Sequence, residues 1–352
     1  MKVLVTGGCG FIGSAFVRHL VREAGHQVVN VDALTYAANP QALEDVADSD
    51  AYRFEHLDIC DRDRLAALFR EHRPDCVAHL AAESHVDRSI DGPATFIETN
   101  VMGTYSVLEA ARAWQQDGAP EGFRLLHVST DEVFGSLGAD GRFSETSRYD
   151  PSSPYSASKA GSDHLVRAWH RTFGLPVVMV NMCNAYGPWQ FPEKLIPLMI
   201  TNAVDGLPLP IYGSGENVRE WIYVEDTAKA FRTVLEQGTT GDSYMIGTGV
   251  ERSNIDLVRS ICTLMDDLRP DAPHRPHAGL IEHVADRPGH DQRYAIDASK
   301  IDRELAWRPD ETGNSGLEKT VRWYLDNEAW WRSVKAERYD GGRLGLKTEA
   351  KR

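Results

Sequence analysis

The chain has 352 residues, 42% of them hydrophobic and 26% charged, enough for one large α/β domain with an appendage or for two ordinary domains. Lys and Arg total 38 against 52 Asp and Glu, a formal net charge of −14, which excludes a general nucleic-acid or anionic-membrane binder because both need basic surface. No run approaches the ~18 apolar residues that span a bilayer, and five cysteines without close pairs predict reduced thiols in a cytoplasmic protein.

The first 180 residues alternate strands and helices. Lys2 to Val5 predicts a strand, Gly7 to Gly13 a turn, and Ser14 to Arg22 a helix, with Phe16, Val17, Leu20 and Val21 at helical spacing. The N-terminus thus runs from a short strand into a glycine turn, where a signal peptide would show a longer apolar region and a small-residue cleavage site. Gln27 to Val31 and Tyr52 to Leu57 predict strands. Asp61 to His72 predicts a helix capped by Asp61. Cys76 to Leu80 is a buried strand, Ala94 to Trp114 one long helix, and Leu125 to Ser129 a strand. Tyr155 to Phe173 is a helix after Pro154, and Val177 to Met182 a strand. This rhythm means right-handed βαβ units and a parallel sheet.

After Gly187, prolines interrupt shorter elements. Helices are expected at Glu225 to Gln237, Asn254 to Arg269 and Ser315 to Lys335, with a loop at 269–277. The fold class is therefore α/β: a Rossmann-type doubly wound parallel sheet with a smaller α+β C-terminal substrate domain. The expected boundaries are 1–186 for the first domain, 187–335 for the second, interleaved with it, and 336–352 for a flexible tail.

Gly7, Gly8, Gly10 and Gly13 form GGxGxxG directly after a strand and at the head of a helix. The first glycines permit the tight turn, Gly10 lets backbone approach a pyrophosphate, and Gly13 lets helix and strand pack closely. Asp32 ends the second strand, where a carboxylate accepts from a ribose 2′-OH and repels a 2′-phosphate. NAD is thus the expected cofactor. Asp58 and Ile59, after the third strand, are placed at the edge of the adenine; Asp58 could equally be a helix-entry cap. The 13 histidines show no HExxH spacing, and no metal is expected. Cys9 and Cys183 lie near the presumed site and are read as small packing residues.

Tyr155 and Lys159 are four apart at a helix head and share one face. An ammonium beside a phenol favours phenolate and should lower the tyrosine pKa towards neutrality. Such a phenolate could take a proton from an alcohol whose carbon gives hydride to NAD. A hydroxyl at Ser129 or Thr130, closing the preceding strand, could bond the same substrate oxygen.

The glycine turn, the Tyr155/Lys159 pair and Thr130 resemble the extended short-chain dehydrogenase/reductases, which act on nucleotide sugars. The strings VDALTYAANPQAL, LAAESHVDRSI, STDEVFG, YSASKAGSD, YGPWQFPEKLIPLMI and ADRPGHDQRYAIDASKI resemble, within them, the dTDP-glucose 4,6-dehydratase family. The likeness runs from Met1 to about Trp331. It implies dehydration of dTDP-glucose to its 4-keto-6-deoxy product, with NAD regenerated each turn. Glu132 is implied as the C5 base and Asp131 as the C6 acid, so Asp131 should hold its proton at working pH.

The resemblance also implies an NAD site of Gly7, Gly10, Phe11, Ile12, Gly13, Asp32, Thr35, Asp58, Ile59, Leu80, Ala81, Ala82, Asn100, Tyr155, Lys159 and Asn184. It implies a substrate site of Ser84, His85, Thr130, Asn184, Glu193, Lys194, Leu195, Pro210, Tyr212, Arg219, Asn254, Arg287 and His290. Arg219, Arg287 and Lys194 would meet the diphosphate. A homodimer is implied, joined by a helical bundle of Ala94 to Trp114 with Tyr155 to Phe173.

The chain departs from the family pattern at Asn181, where arginine is usual, and at Ala38, Ala185 and Thr227. These positions are expected to flank the nicotinamide and the sugar diphosphate. They keep open another NAD-dependent nucleotide-sugar enzyme: a 4-epimerase, a decarboxylase, or a dehydratase of a UDP-sugar. A non-catalytic NAD-binding sensor is the remaining alternative.

Overall fold

The structure, a computed structural model, describes residues 1–339, 341, 342, 344 and 345. Its strands are β1 (Lys2–Thr6), β2 (Gln27–Asp32), β3 (Tyr52–His56), β4 (Cys76–His79), β5 (Arg124–Thr130), β6 (Val177–Met182), β7 (Asn184–Tyr186), β8 (Leu209–Tyr212), β9 (Val218–Tyr223), β10 (Ser243–Ile246), β11 (Glu251–Ser253) and β12 (Ile281–Val284). Seven of them form one parallel sheet in the order β10-β6-β5-β4-β1-β2-β3. The chain starts in the middle of the sheet, at β1, and winds outward in both directions. The order reverses between β1 and β4, and a crevice opens there at the carboxyl ends of the strands.

β1, β4 and β6 are almost wholly buried apolar runs, as a sheet covered on both faces requires. One face packs against the helices Arg62–His72 and Thr104–Gln116 around Leu65, Phe69, Val107 and Trp114. The other packs against Phe11–Arg22 and Val224–Gln237, whose Phe16 and Phe231 rings meet edge to face at 5.8 Å. Chain beyond residue 186 therefore returns to the sheet twice, as β10 and as the helix Val224–Gln237. A third cluster joins Tyr186, Met199, Ile261, Tyr324 and Trp331. It lies under two small sheets, β11-β9-β7 and β12-β8.

The structure differs from the sequence expectations at three elements. The long helix expected over 94–114 is a continuous rod with a π-helical stretch, Ile97–Gly103, between Pro93–Phe96 and Thr104–Gln116. That wide turn carries the buried Asn100. The helix expected over 315–335 is two helices, Gly313–Asp326 and Glu328–Arg338. Asn327 separates them because its amide donates to the Trp323 carbonyl, a local bond that competes with the helix ladder. The tail expected to be flexible from 336 is ordered at its start. Ala336 to Arg338 complete the last helix, and Tyr339 is buried with its ring 6.3 Å from that of Phe191. Positions 340, 343 and 346–352 of that tail lie outside the described residues.

Candidate active site

A cavity of about 550 Å³ opens over the strand ends β1, β2, β4, β5 and β6 and reaches beneath the C-terminal layer. At one end it is built from backbone. Gly7 has φ +72°, and a Cβ there would lie 2.6 Å from the Ala81 backbone. A Cβ on Gly13 would lie 2.1 Å from the Gly7 carbonyl oxygen, so only glycine allows this helix to pack so close. Gly10 faces open space except for the Gly7 carbonyl at 3.3 Å. The turn thus leaves the amides at the head of Phe11–Arg22 facing the cavity, an arrangement that fits a dinucleotide pyrophosphate. Asp32 lines the same end. It accepts from the Cys9 and Leu34 amides at 2.9 and 2.8 Å, which aims the carboxylate at the cavity.

The other end is built from charged side chains carried by distant segments. Thr130 closes β5, and its hydroxyl accepts from the Glu132 amide at 3.2 Å and donates to Asp131 at 3.3 Å. Asp131 is fully buried, and its second carboxylate oxygen has no partner among the described residues. Burial, with Glu132 and Glu220 nearby, raises its pKa well above the carboxylate range. Burial raises Glu132 as well, but Arg287, Arg219 and Lys194 act against it. Two adjacent carboxyls thus sit in unequal fields: one buried beside other carboxyls, the other ringed by three cations. Such splitting separates an acid from a base.

Arg219 is held by the Val218, Asp291 and Gln292 carbonyls and stacks on Tyr294 at 4.1 Å. Arg287 pairs with Asp87 at 3.2 Å, and Tyr212 donates to the same carboxylate at 2.9 Å. Lys194 donates to the Ser84 carbonyl at 3.0 Å. His85 caps the short helix Val86–Asp91, and His290 bonds Asp286 at 2.6 Å.

Tyr155 and Lys159 both line the cavity from the helix Pro154–Phe173, which opens on a Ser153/Ser156 capping box. Their electrostatics differ from the sequence expectation. The Lys159 ammonium donates to the Val128 carbonyl at 2.8 Å, and burial lowers its pKa to about 8. Burial, and next Glu132, push the Tyr155 phenol upward, with Thr130 hydrogen bonding acting the other way. In this state the lysine does not bring the phenol towards neutrality.

Of the residues expected around NAD and substrate, all but one line the cavity. The exception is Asn100. It is buried behind the wall, where it accepts from the Glu83 amide and donates to the Glu83 carbonyl and Ser158. Its amide is saturated there, so it braces the Glu83 backbone and does not reach the cavity. Asp131, expected as the acid, lies just beneath the lining at Thr130. Glu193 lines the cavity, yet both of its oxygens are engaged, one by Tyr36 at 2.9 Å and one by Arg88 at 2.8 Å. Of the four departures, Ala38 and Ala185 line the cavity. Asn181 and Thr227 do not: Asn181 is buried against the Thr130 carbonyl, and Thr227 bonds back to the Tyr223 carbonyl within its helix.

Sequence reasoning missed Tyr36, Asp87 and Asp163. Tyr36 and Asp87 lie within the strings that carried the resemblance, but their partners are 157 and 200 residues away.

The family model for GDP-mannose 4,6 dehydratase matches residues 4–320. The dTDP-glucose 4,6-dehydratase of Neisseria meningitidis serogroup B is 57% identical over 350 residues, covering 98% of this chain and 99% of that one. The chain belongs to this dehydratase family. Among solved structures, the dTDP-glucose 4,6-dehydratase DesIV of Streptomyces venezuelae, crystallised with NAD, aligns with a TM-score of 0.88 at 47% identity. That alignment covers 95% of this chain and 100% of DesIV. The UDP-glucose 4-epimerase of Thermotoga maritima aligns with a TM-score of 0.82 at 27% identity, covering 93% and 100%. Dehydratase and epimerase thus share this fold, so the fold alone does not distinguish them. No helix among the described residues is long and apolar enough to cross a membrane.

Proposed function

We propose that the chain is an NAD-dependent dTDP-glucose 4,6-dehydratase, a hydro-lyase that releases dTDP-4-keto-6-deoxyglucose. The observation that carries this reading is the adjacent, unequal pair Asp131 and Glu132 beside Thr130 and Tyr155. NAD, when bound, would supply a reversible hydride acceptor for the oxidation at C4 and the reduction at C6. The glycine turn and Asp32 hold the cofactor's pyrophosphate and ribose. Tyr155, in its phenolate form, takes the C4 hydroxyl proton while Thr130 orients that oxygen, and this proton restores Asp131 to its acid form at the end of the cycle. The C4 ketone acidifies C5–H, and Glu132 takes that proton. Asp131, kept protonated by burial, donates to the C6 hydroxyl, which leaves as water. Glu132 then returns its proton to C5, and the sugar has lost one water in all. Arg219, Arg287 and Lys194 bind the diphosphate, with the arginines offering paired donors.

The protein works in the cytoplasm as a homodimer. Ile97 and Met102 on the rod 97–116 and Phe173 at the end of Pro154–Phe173 are each more than 40% exposed. Apolar side chains so exposed on the two helices expected to form the bundle support that contact.

The test incubates the protein with dTDP-glucose deuterated at C4, without added NAD, and with UDP-glucose in parallel. Loss of one water with deuterium at C6 is expected from the dTDP-sugar. A C4 epimer formed without loss of water would overturn the reading, and dehydration of the UDP-sugar alone would move the substrate.

A further inference from the structure

Asp163 lies one turn beyond Lys159 on the same helix and is fully buried. A buried charge is costly unless hydrogen bonds and an opposite charge hold it. One Asp163 oxygen bonds the His127 ring at 3.0 Å. The other accepts from the Ser129 hydroxyl at 2.8 Å, the Tyr149 hydroxyl at 3.0 Å and the Asn181 amide at 3.5 Å. These donors come from β5, β6 and the loop before the helix. They favour the ionised form, and Asp163 stays below its ordinary value despite burial.

Lys159 is pinned to β5 at Val128, the residue next to Ser129. Two neighbouring β5 residues thus hold Lys159 and Asp163 in one buried layer. The groups facing Lys159 are few. His127 on β5 and His79 on β4 are both pushed down by burial, so they are neutral. Tyr155 on its own helix is neutral too. Asp163 is the carboxylate whose field supports the ammonium. Asn181 fits this arrangement: an uncharged donor at that position leaves the charge of Asp163 to Lys159.

We propose that Asp163 is a positioning residue, the buried counter-charge that keeps Lys159 an ammonium ion at neutral pH and so keeps the Tyr155–Lys159 pair active. The proposal rests on the catalytic reading of that pair, but its first measurement does not. Lysine labelled with ¹³C at Cε, assigned by difference with Lys159→Arg, reports the Lys159 titration midpoint directly by NMR. In Asp163→Asn the midpoint should fall by about one unit or more, the size of a lost neighbouring charge. The alkaline limb of the kcat profile should move down with it, so that activity lost at pH 8 is largely regained near pH 6.5. Tyr149→Phe keeps the charge and removes one donor, so its midpoint should stay where the wild type has it.

An unmoved midpoint in Asp163→Asn, with activity lost equally at every pH, would overturn the proposal and leave Asp163 a packing residue. If the asparagine variant does not fold, Asp163→Glu decides. It keeps the charge and should hold both midpoint and profile, whereas loss of activity with an unmoved midpoint would overturn the assignment. A shifted midpoint in a protein that dehydrates no nucleotide sugar would uphold the charge coupling and reject the catalytic reading alone.

Discussion

The two ends of the cavity are made differently. The dinucleotide end is backbone: Gly7, Gly10 and Gly13 stand within seven consecutive residues, and their function is to lack side chains. The sugar end is charge: Asp131, Glu132, Lys194, Arg219 and Arg287 come from four separated segments, and Asp131, Lys194, Arg219 and Arg287 are each held by their own partners. A site made of close backbone approach fails when one methyl intrudes. A site made of separate charges fails residue by residue, in proportion to what each does at the reacting atoms.

The largest effect belongs to the charged end. Asp131→Asn preserves shape and removes the acid, so dehydration should fall by roughly 10²- to 10⁴-fold. C4 oxidation should persist, seen as absorbance of reduced cofactor with no release of water. If Asp131→Asn dehydrated at the wild-type rate, the C6 proton would have another source.

Next comes the backbone end. Gly13→Ala places a Cβ against the Gly7 carbonyl. Overpacking of this kind costs roughly 1–3 kcal/mol, so NAD affinity should fall by about 10- to 100-fold in a fluorescence titration, with the sugar end intact. Retained affinity would mean that the turn can shift as a unit, and the contrast between the ends would weaken.

The cations proposed to bind the diphosphate should give an intermediate, graded response. Arg287→Met removes one charged donor and leaves Asp87 bonded only by Tyr212 among the partners described above. Hydrogen bonds to charged groups are worth about 1.5–3 kcal/mol, so KM should rise about 10- to 100-fold while kcat holds. A fall in kcat at constant KM would place Arg287 at the chemistry.

The contrast between the ends also explains how much was legible beforehand. The parallel sheet, the glycine turn with Asp32, and the Tyr155/Lys159 spacing are local patterns, so periodicity and motif exposed them. Arg219 and Arg287 carry no local signal. A lone arginine in ENVREW or ADRPGHD reads as solvated surface, and only the family resemblance singled them out. The positions of Asn100 and Asn181 behind the wall were not legible for one reason: a polar side chain on a helix or strand does not announce whether it turns to the cavity or to the layer behind. Here Asn100 saturates the Glu83 backbone, and Asn181 holds the Thr130 carbonyl. Both support the wall from outside. The interruption at Asn327 was hidden as well, because the apolar spacing continues across it and only its bond to Trp323 breaks the helix.

The smallest effect sharpens the comparison most, because it lies where the ends meet. Tyr36 stands in the loop after β2, among residues lining the dinucleotide end. Its hydroxyl reaches Glu193, beside Lys194 at the sugar end, and its ring lies 3.8 Å under the Arg88 guanidinium. Glu193 is 7% exposed and receives both Tyr36 and Arg88. Tyr36→Phe keeps the ring and the cation stacking and removes one hydrogen bond to a charged group, worth about 1.5–3 kcal/mol at most. The change leaves Arg88 to neutralise the Glu193 carboxylate, so the fold should hold and the melting temperature should fall by only a few degrees. If the clasp merely packs, KM and NAD affinity should stay within about twofold of wild type. If it transmits position from one end to the other, KM for the nucleotide sugar should rise by about fivefold at unchanged kcat, and bound NAD should tighten nucleotide-sugar binding by less than it does in wild type. That second outcome is expected, because Glu193 directly precedes Lys194 and any freedom in its side chain shifts that cavity-lining lysine with it.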